Sequence, residues 1–301
     1  MPSAEEYLRP DVIQQVSRLD LQAKFIVEGF ISGLHDSPYQ GFSTEFSEHR
    51  KYSPGDDLKN IDWNVYGRTD RYYIKKFEAE TNLSCYLLVD VSSSMQYSYG
   101  GITKLKYSCC MAAALGYLMI NQQDAVGLAT FDEDLVHYVP PKSKRSHLTG
   151  ILSGLDAEPR DRPSRIGPSL HKAAELFPRR GLAVLFSDLI PTPDENEKEI
   201  IEALDHLIYR GHDVICFQVL DHAELTMPYE GRTRFRDMET QEEVVVQPEA
   251  LQEDYQREIR QFADYYKEKC GETDIDYVLV DTSVSFDRVL VTYLTNRREH
   301  F

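Results

Sequence analysis

The 301-residue chain contains no apolar run of the roughly 18 residues that a helix needs to cross a bilayer. The nearest approach, Lys104 to Gln123, is flanked and interrupted by polar residues. The first ten residues, MPSAEEYLRP, lack the basic and apolar architecture of a secretory leader. These absences lead to the expectation of a soluble, cytoplasmic protein without direct membrane insertion. Cysteine is scarce. The five residues Cys85, Cys109, Cys110, Cys216 and Cys270 are odd in number and show no Cys-x-x-Cys spacing. Four of them lie inside apolar strand or helix candidates, as reduced core thiols do, so neither a disulfide framework nor a zinc site is indicated. Positive charge is also in deficit, with 33 Lys and Arg against 50 Asp and Glu, a formal charge of −17. Without a basic stripe, a nucleic-acid partner is not expected. An acidic field favours divalent cations and basic partners instead. The nine histidines show no His-x-x-x-His or His-x-His pair, and no Gly-x-x-x-x-Gly-Lys loop is present. A P-loop nucleotidase is therefore set aside.

What the chain does have is alternation. From Leu83 onward, strand candidates at 83–89, 125–131, 134–139, 182–187, 213–219 and 275–281 interleave with helix candidates at 104–123, 145–155, 167–177, 195–210, 251–269 and 285–298. In the last of these, Phe286, Val289, Leu290, Tyr293 and Leu294 fall at i, i+3, i+4, i+7 and i+8. The pattern predicts an α/β fold, doubly wound, with a mainly parallel sheet covered by helices on both faces. Phe131-Asp132-Glu133-Asp134 is too short for a crossover, so the strand after it should return antiparallel and form one edge. Residues 221–250 break the rhythm, and Gly231 to Val246 reads as a β-hairpin inserted at the functional rim. The acidic run Asp194 to Glu199 reads as a loop entering a helix, where negative charge suits the dipole.

Residues 1–82 form a helical and β preamble expected to pack on the main domain of 83–301. It begins with a loose apolar stripe through Val12, Val16, Leu19, Phe25 and Phe30. A segment rich in aromatics and charges follows, with a turn at Ser53-Pro54-Gly55-Asp56 and two or three short strands expected.

The segment LSCYLLVDVSSSM, Leu83 to Met95, carries the most chemistry. An apolar run of this kind is a central parallel strand buried on both faces. In open α/β sheets, ligands bind where the carboxyl ends of strands meet loops. Asp90, Ser92 and Ser94 stand at that end at alternate positions, and their oxygens suit Mg²⁺, with Mn²⁺ or Ca²⁺ also possible. An Asp followed by serines also caps a following helix, so the motif alone leaves both readings open. Two further loops can complete an oxygen shell. Phe186-Ser187-Asp188-Leu189 brings a second carboxylate to the rim, and the loop from Arg160 to Gly167 offers Ser164, with Ser169 as a rival. Asp56, Asp57 and Asp62 are a lesser acidic cluster, read as turn and linking residues.

Asp90, Ser92, Ser94, Ser164 and Asp188 together resemble the metal-ion-dependent adhesion site of von Willebrand factor type A domains. The preamble adds a more specific resemblance. Phe42-Ser43-Thr44-Glu45-Phe46, the run from Arg50 to Asp57, Ile61-Asp62-Trp63 and Lys75-Lys76-Phe77-Glu78 resemble the domain of unknown function 58 family. In that family such a preamble leads directly into the metal-site strand. The chain departs from the pattern at two positions, with Ser164 where Thr is usual and Leu189 where Gly commonly follows the second aspartate. The resemblance implies an interaction module that works beside MoxR-type AAA+ ATPases in assembling or activating a client complex. A Glu or Asp from a partner would then complete the metal shell. The alternative is a metal-dependent phosphohydrolase with Asp90 as nucleophile. Against it, Ser92 stands where the Asp-x-Asp-x-Thr pattern places its acid/base carboxylate, and no other general acid is evident. A third reading, a purely structural scaffold with a vestigial site, fits poorly with candidate ligands on all three loops.

Overall fold

The structure, a computed structural model, describes residues 44–51, 63–69, 71–79, 83–99, 101–156, 162–284 and 289. They belong to two units that meet between Asn82 and Leu83. In the first unit, β1 (Thr44–Lys51) pairs antiparallel with β2 (Tyr73–Ala79), with a register shift between Phe46 and Glu48. The short helix α1 (Trp63–Thr69) lies between them in sequence. The helix expected over the first 35 residues, the turn at 53–56 and the acidic cluster at 56–62 fall outside the described residues. So does the helix at 285–298, apart from Val289, which is helical.

The second unit is built on six strands: β3 (Ser84–Asp90), β4 (Ala125–Phe131), β5 (Leu135–Lys142), β6 (Gly181–Ser187), β7 (Asp213–Leu220) and β10 (Asp276–Asp281). Their spatial order is β10-β7-β6-β3-β4-β5. All neighbours are parallel except β5, which runs antiparallel to β4 at the edge. The composition of each strand explains its place. Every residue of β3 and β6 is buried, as apolar runs between two helical layers must be, whereas β5 alternates between partly buried and exposed positions.

Helices α2 (Lys104–Asn121), α3 (His147–Leu155), α4 (Ile166–Leu176), α5 (Glu197–Tyr209) and α7 (Pro248–Glu272) fill the crossovers. A short helix, α6 (His222–Thr226), follows β7. The acidic run ahead of α5 does what its charge suggests: Asn196 and Glu199 form a reciprocal capping box. The expected hairpin is present as β8 (Thr233–Arg236) and β9 (Glu243–Val246), paired antiparallel. All five cysteines are buried as thiols outside any disulfide, and burial pushes the Cys85 and Cys109 thiols well above their ordinary range. Among the described residues no helix is long and apolar enough to cross a membrane.

Strand order reverses at β3, which lies between β6 and β4. Loops after β3 and β6 therefore open on the same edge at the sheet's switch point, where a ligand crevice forms in this architecture. With an antiparallel edge strand beside that order, the fold is von Willebrand factor type A-like.

Candidate metal centre

β3 ends in Asp90, and the chain turns at once. The Ser92 amide donates to Asp90 Oδ1 at 3.0 Å, and Ser92 Oγ lies 3.2 Å from Ser94 Oγ. The three motif residues thus share one tight turn, which runs into the single 3₁₀ turn Ser94–Gln96. The loop before α4 is tied to it: the Ser93 amide and hydroxyl donate to the Arg162 carbonyl at 3.0 and 2.9 Å. That tie brings Ser164 to Asp90, with Oγ 3.4 Å from Oδ2. The rival Ser169 is used elsewhere and donates to the Asp132 carbonyl at 3.3 Å.

β6 delivers two groups. Ser187 Oγ donates to Asp90 Oδ2 at 2.7 Å, and Asp188 follows it at the strand end. Asp188 Oδ1 accepts from the Ile190 amide at 3.1 Å. Leu189 has φ +58, the left-handed region that a side chain rarely takes, and it is fully buried. A leucine thus holds a backbone conformation that glycine adopts without strain. Its amide donates to Ser187 Oγ at 3.1 Å and its carbonyl accepts the Tyr266 hydroxyl at 3.0 Å, two contacts that hold the strained conformation.

All five residues singled out from the sequence meet in one loop cluster. Asp90, Ser92, Ser164 and Asp188 are 0 % exposed, and Ser94 is partly buried. Beyond Ser187, the sequence reading missed three more participants. Lys104, the first residue of α2 and also 0 % exposed, donates to Asp188 Oδ2 at 2.8 Å and to Glu224 Oε1 at 2.7 Å. Burial alone would lower its pKa, but Asp188 and Glu224 outweigh burial and hold the ammonium above the usual lysine range. The third is Glu239, in the turn of the β8–β9 hairpin, whose Oε1 accepts the Ser164 amide at 3.2 Å. Tyr97, just beyond the motif, hydrogen bonds Tyr229 through their hydroxyls, with Lys104 Nζ 6.0 Å from the Tyr97 ring centre.

The charges do not balance. Lys104 serves Asp188 and Glu224, while Asp90 is held by hydroxyls and one amide, with no cation bonded to it among the described residues. Burial, and then the charge of Asp188, push the Asp90 carboxyl above the ordinary carboxylate range. Burial and the charges of Asp188, Asp90 and Asp237 push Glu239 up to about 7, against the opposing pull of the Ser164 amide. A hydroxyl-rich oxygen set with uncompensated carboxylates is the donor chemistry that a hard divalent cation requires. Among the described residues no three His, Cys, Asp or Glu side chains converge to hold a metal by themselves, so a cation here would draw on serine hydroxyls.

The raised Glu239 carboxyl has a consequence with a definite sign. The folded chain keeps a proton there that the unfolded chain releases near the ordinary glutamate value, so this group's contribution to stability falls as pH rises through that window toward about 7. In chelator, Glu239→Gln and the wild type should melt together near pH 4.5. The variant should become progressively the more stable as pH approaches 8. Thermal melts of both proteins at several pH values check this, and parallel curves would contradict it.

A family described as "Protein of unknown function DUF58" matches residues 48–264. The chain is 27% identical over 254 residues to the uncharacterized protein Rv1480 of Mycobacterium tuberculosis, covering 82% of this chain and 78% of that protein. The uncharacterized protein Mb1516 of Mycobacterium bovis matches equally. Solved structures similar to this one include an aerotolerance-related membrane protein from Bacteroides fragilis, at TM-score 0.44 and 17% identity, over 71% of this chain and 99% of that one. Another is the von Willebrand factor type A domain of SpRpn10, at TM-score 0.40 and 12% identity, over 70% of this chain and 95% of that one.

Proposed function

The chain belongs to the family of proteins of unknown function DUF58, and from that footing we propose that it is a metal-dependent protein–protein interaction module. The observation that carries the reading is the uncompensated Asp90 carboxylate among Ser92, Ser94, Ser164 and Ser187 at the sheet's switch point. Ser92, Ser94 and Ser164 would hold Mg²⁺ (or Mn²⁺ or Ca²⁺) directly, with Asp90 and Asp188 bound directly or through water. Such a cation supplies a positive point charge and an open position for an external Glu or Asp carboxylate. Ser187, not foreseen as part of the set, orients Asp90 from the neighbouring strand.

The family resemblance extends the reading to a cytoplasmic adaptor for a MoxR-type AAA+ ATPase and its client complex. A hydrolase is the weaker reading. Asp90 is wholly buried and accepts three hydrogen bonds, a poor state for an attacking nucleophile.

Calorimetric titration of Mg²⁺ and Mn²⁺ into the wild type and Asp90→Ala tests the metal. Binding is expected in the wild type and should weaken at least about 100-fold in the variant, beyond what loss of an outer-shell partner costs. Folded wild-type protein that binds neither ion would sink the proposal. Pull-down of the cognate ATPase, with and without chelator, tests the partner separately.

A further inference from the structure

Resting on the metal reading above, we infer that Glu239 is a tethered acidic ligand of the centre, held in cis by the β8–β9 hairpin in the place a partner's carboxylate would take. Three features carry this. The first is the construction of the hairpin turn. Asp237 Oδ1 accepts from the Glu239 amide at 2.8 Å and from the Thr240 amide at 2.7 Å, and Gln241 completes the turn at φ +64. At the hairpin's base the Gly231 amide donates to Glu249 Oε1 of α7 at 2.5 Å, and Tyr229 meets Phe235 edge-on at 4.9 Å. The arm is anchored at one end and ordered at the other, and Glu239 projects from it onto the Ser164 loop.

The second feature is the chemistry of that contact. One backbone N–H is all that Glu239 gains, since Oε2 accepts no hydrogen bond among the described residues. An amide side chain would satisfy Ser164 equally well. A carboxylate set on the loop whose Ser164 hydroxyl reaches Asp90 instead adds negative charge beside an acid already there, a cost that a cation bound at the serine-lined centre would offset. The third is closure. A rim site built to receive a partner should be open, yet Asp90, Ser92, Ser164 and Asp188 are all fully covered, and the hairpin's own acid rests on one of them. A partner's acid must therefore displace Glu239, which makes the hairpin a competitor that sets the threshold for capture.

Mn²⁺ is the probe. Its affinity is measured by calorimetry in the wild type, Glu239→Gln, Glu239→Ala and Asp90→Ala. Metal-bound waters are counted by electron–nuclear resonance, and hydrogen exchange is followed over residues 233–246. Both Glu239 variants should bind Mn²⁺ about tenfold more weakly or worse. The alanine variant should gain a bound water, and Mn²⁺ should protect the hairpin in the wild type only. Wild-type affinity, water count and hairpin exchange in the Glu239 variants, with binding lost in Asp90→Ala, would overturn the inference and leave the metal centre standing. No Mn²⁺ binding by the folded wild type would overturn both.

Discussion

Gly181→Ala is expected to destabilise the protein by about 3 kcal/mol or more, the upper end of what overpacking a closed interior costs. The reason is local and geometric. Gly181 opens β6 in register with Ser84, the first residue of β3. A Cβ on Gly181 would stand 1.9 Å from the Ser84 carbonyl oxygen and 2.9 Å from its carbon, both backbone atoms. A flexible side chain could swing away from such a contact, but a ladder carbonyl cannot. β3 is hydrogen bonded on both sides, by β4 and β6, and every residue in it is buried. The start of β6 would have to leave the ladder, and the same two strands carry Asp90 and Asp188 at their far ends. Urea unfolding should show a lower midpoint at unchanged slope. A loss below about 1 kcal/mol would mean that the strand start slides freely, and that glycine is not required there.

Those two strands were also the most legible part of the chain. A run such as Ser84 to Val89 can only be buried on both faces, and its abrupt end in Asp90 and alternate serines marks the rim. The same logic found Asp188. The six strands and the edge reversal after Phe131 follow from apolar runs alternating with helical periods, and the observed ends lie within a few residues of those expected. Lys104 was invisible for a physical reason. A lysine opening a helix reads as solvated, and nothing nearby reveals partners 84 and 120 residues further on. Glu239 is one acid in a polar hairpin, 75 residues from the amide it meets. The hairpin was placed at the rim by its interruption of the strand–helix rhythm, but periodicity carries no information about which tip residue turns inward. Leu189 is a case the sequence could not settle: a leucine takes a left-handed conformation there, with its amide bonded to Ser187 and its carbonyl to Tyr266.

Lys104→Met should cost the metal-free protein about 3–5 kcal/mol, the effect of removing one partner from a buried ion pair. Methionine fills a similar volume, so the loss is electrostatic. Lys104 and Asp188 are both 0 % exposed, and the ammonium spans Asp188 and the mostly covered Glu224. Without it, Asp188 keeps the Ile190 amide but no cation among the described residues, beside an Asp90 held only by hydroxyls and an amide there. The substitution also separates two positive charges that would share Asp188. In the wild type Lys104 compensates this carboxylate before any divalent ion arrives, which weakens the site for a cation. In Lys104→Met a cation becomes the only compensation. Affinity for Mn²⁺ should therefore rise relative to wild type, and saturating Mn²⁺ should raise the variant's melting temperature more than it raises the wild type's, since stabilisation by a ligand grows with its affinity for the folded state. A variant that is destabilised as expected but gains no more from Mn²⁺ than the wild type would show that lysine and metal do not compete for Asp188. Equal stability in chelator would show instead that water enters and solvates the carboxylates once the lysine is gone. The expected pattern, a large metal-free loss with preferential recovery in Mn²⁺, would make Lys104 the built-in counter-ion that keeps this sheet edge folded while the metal position is empty.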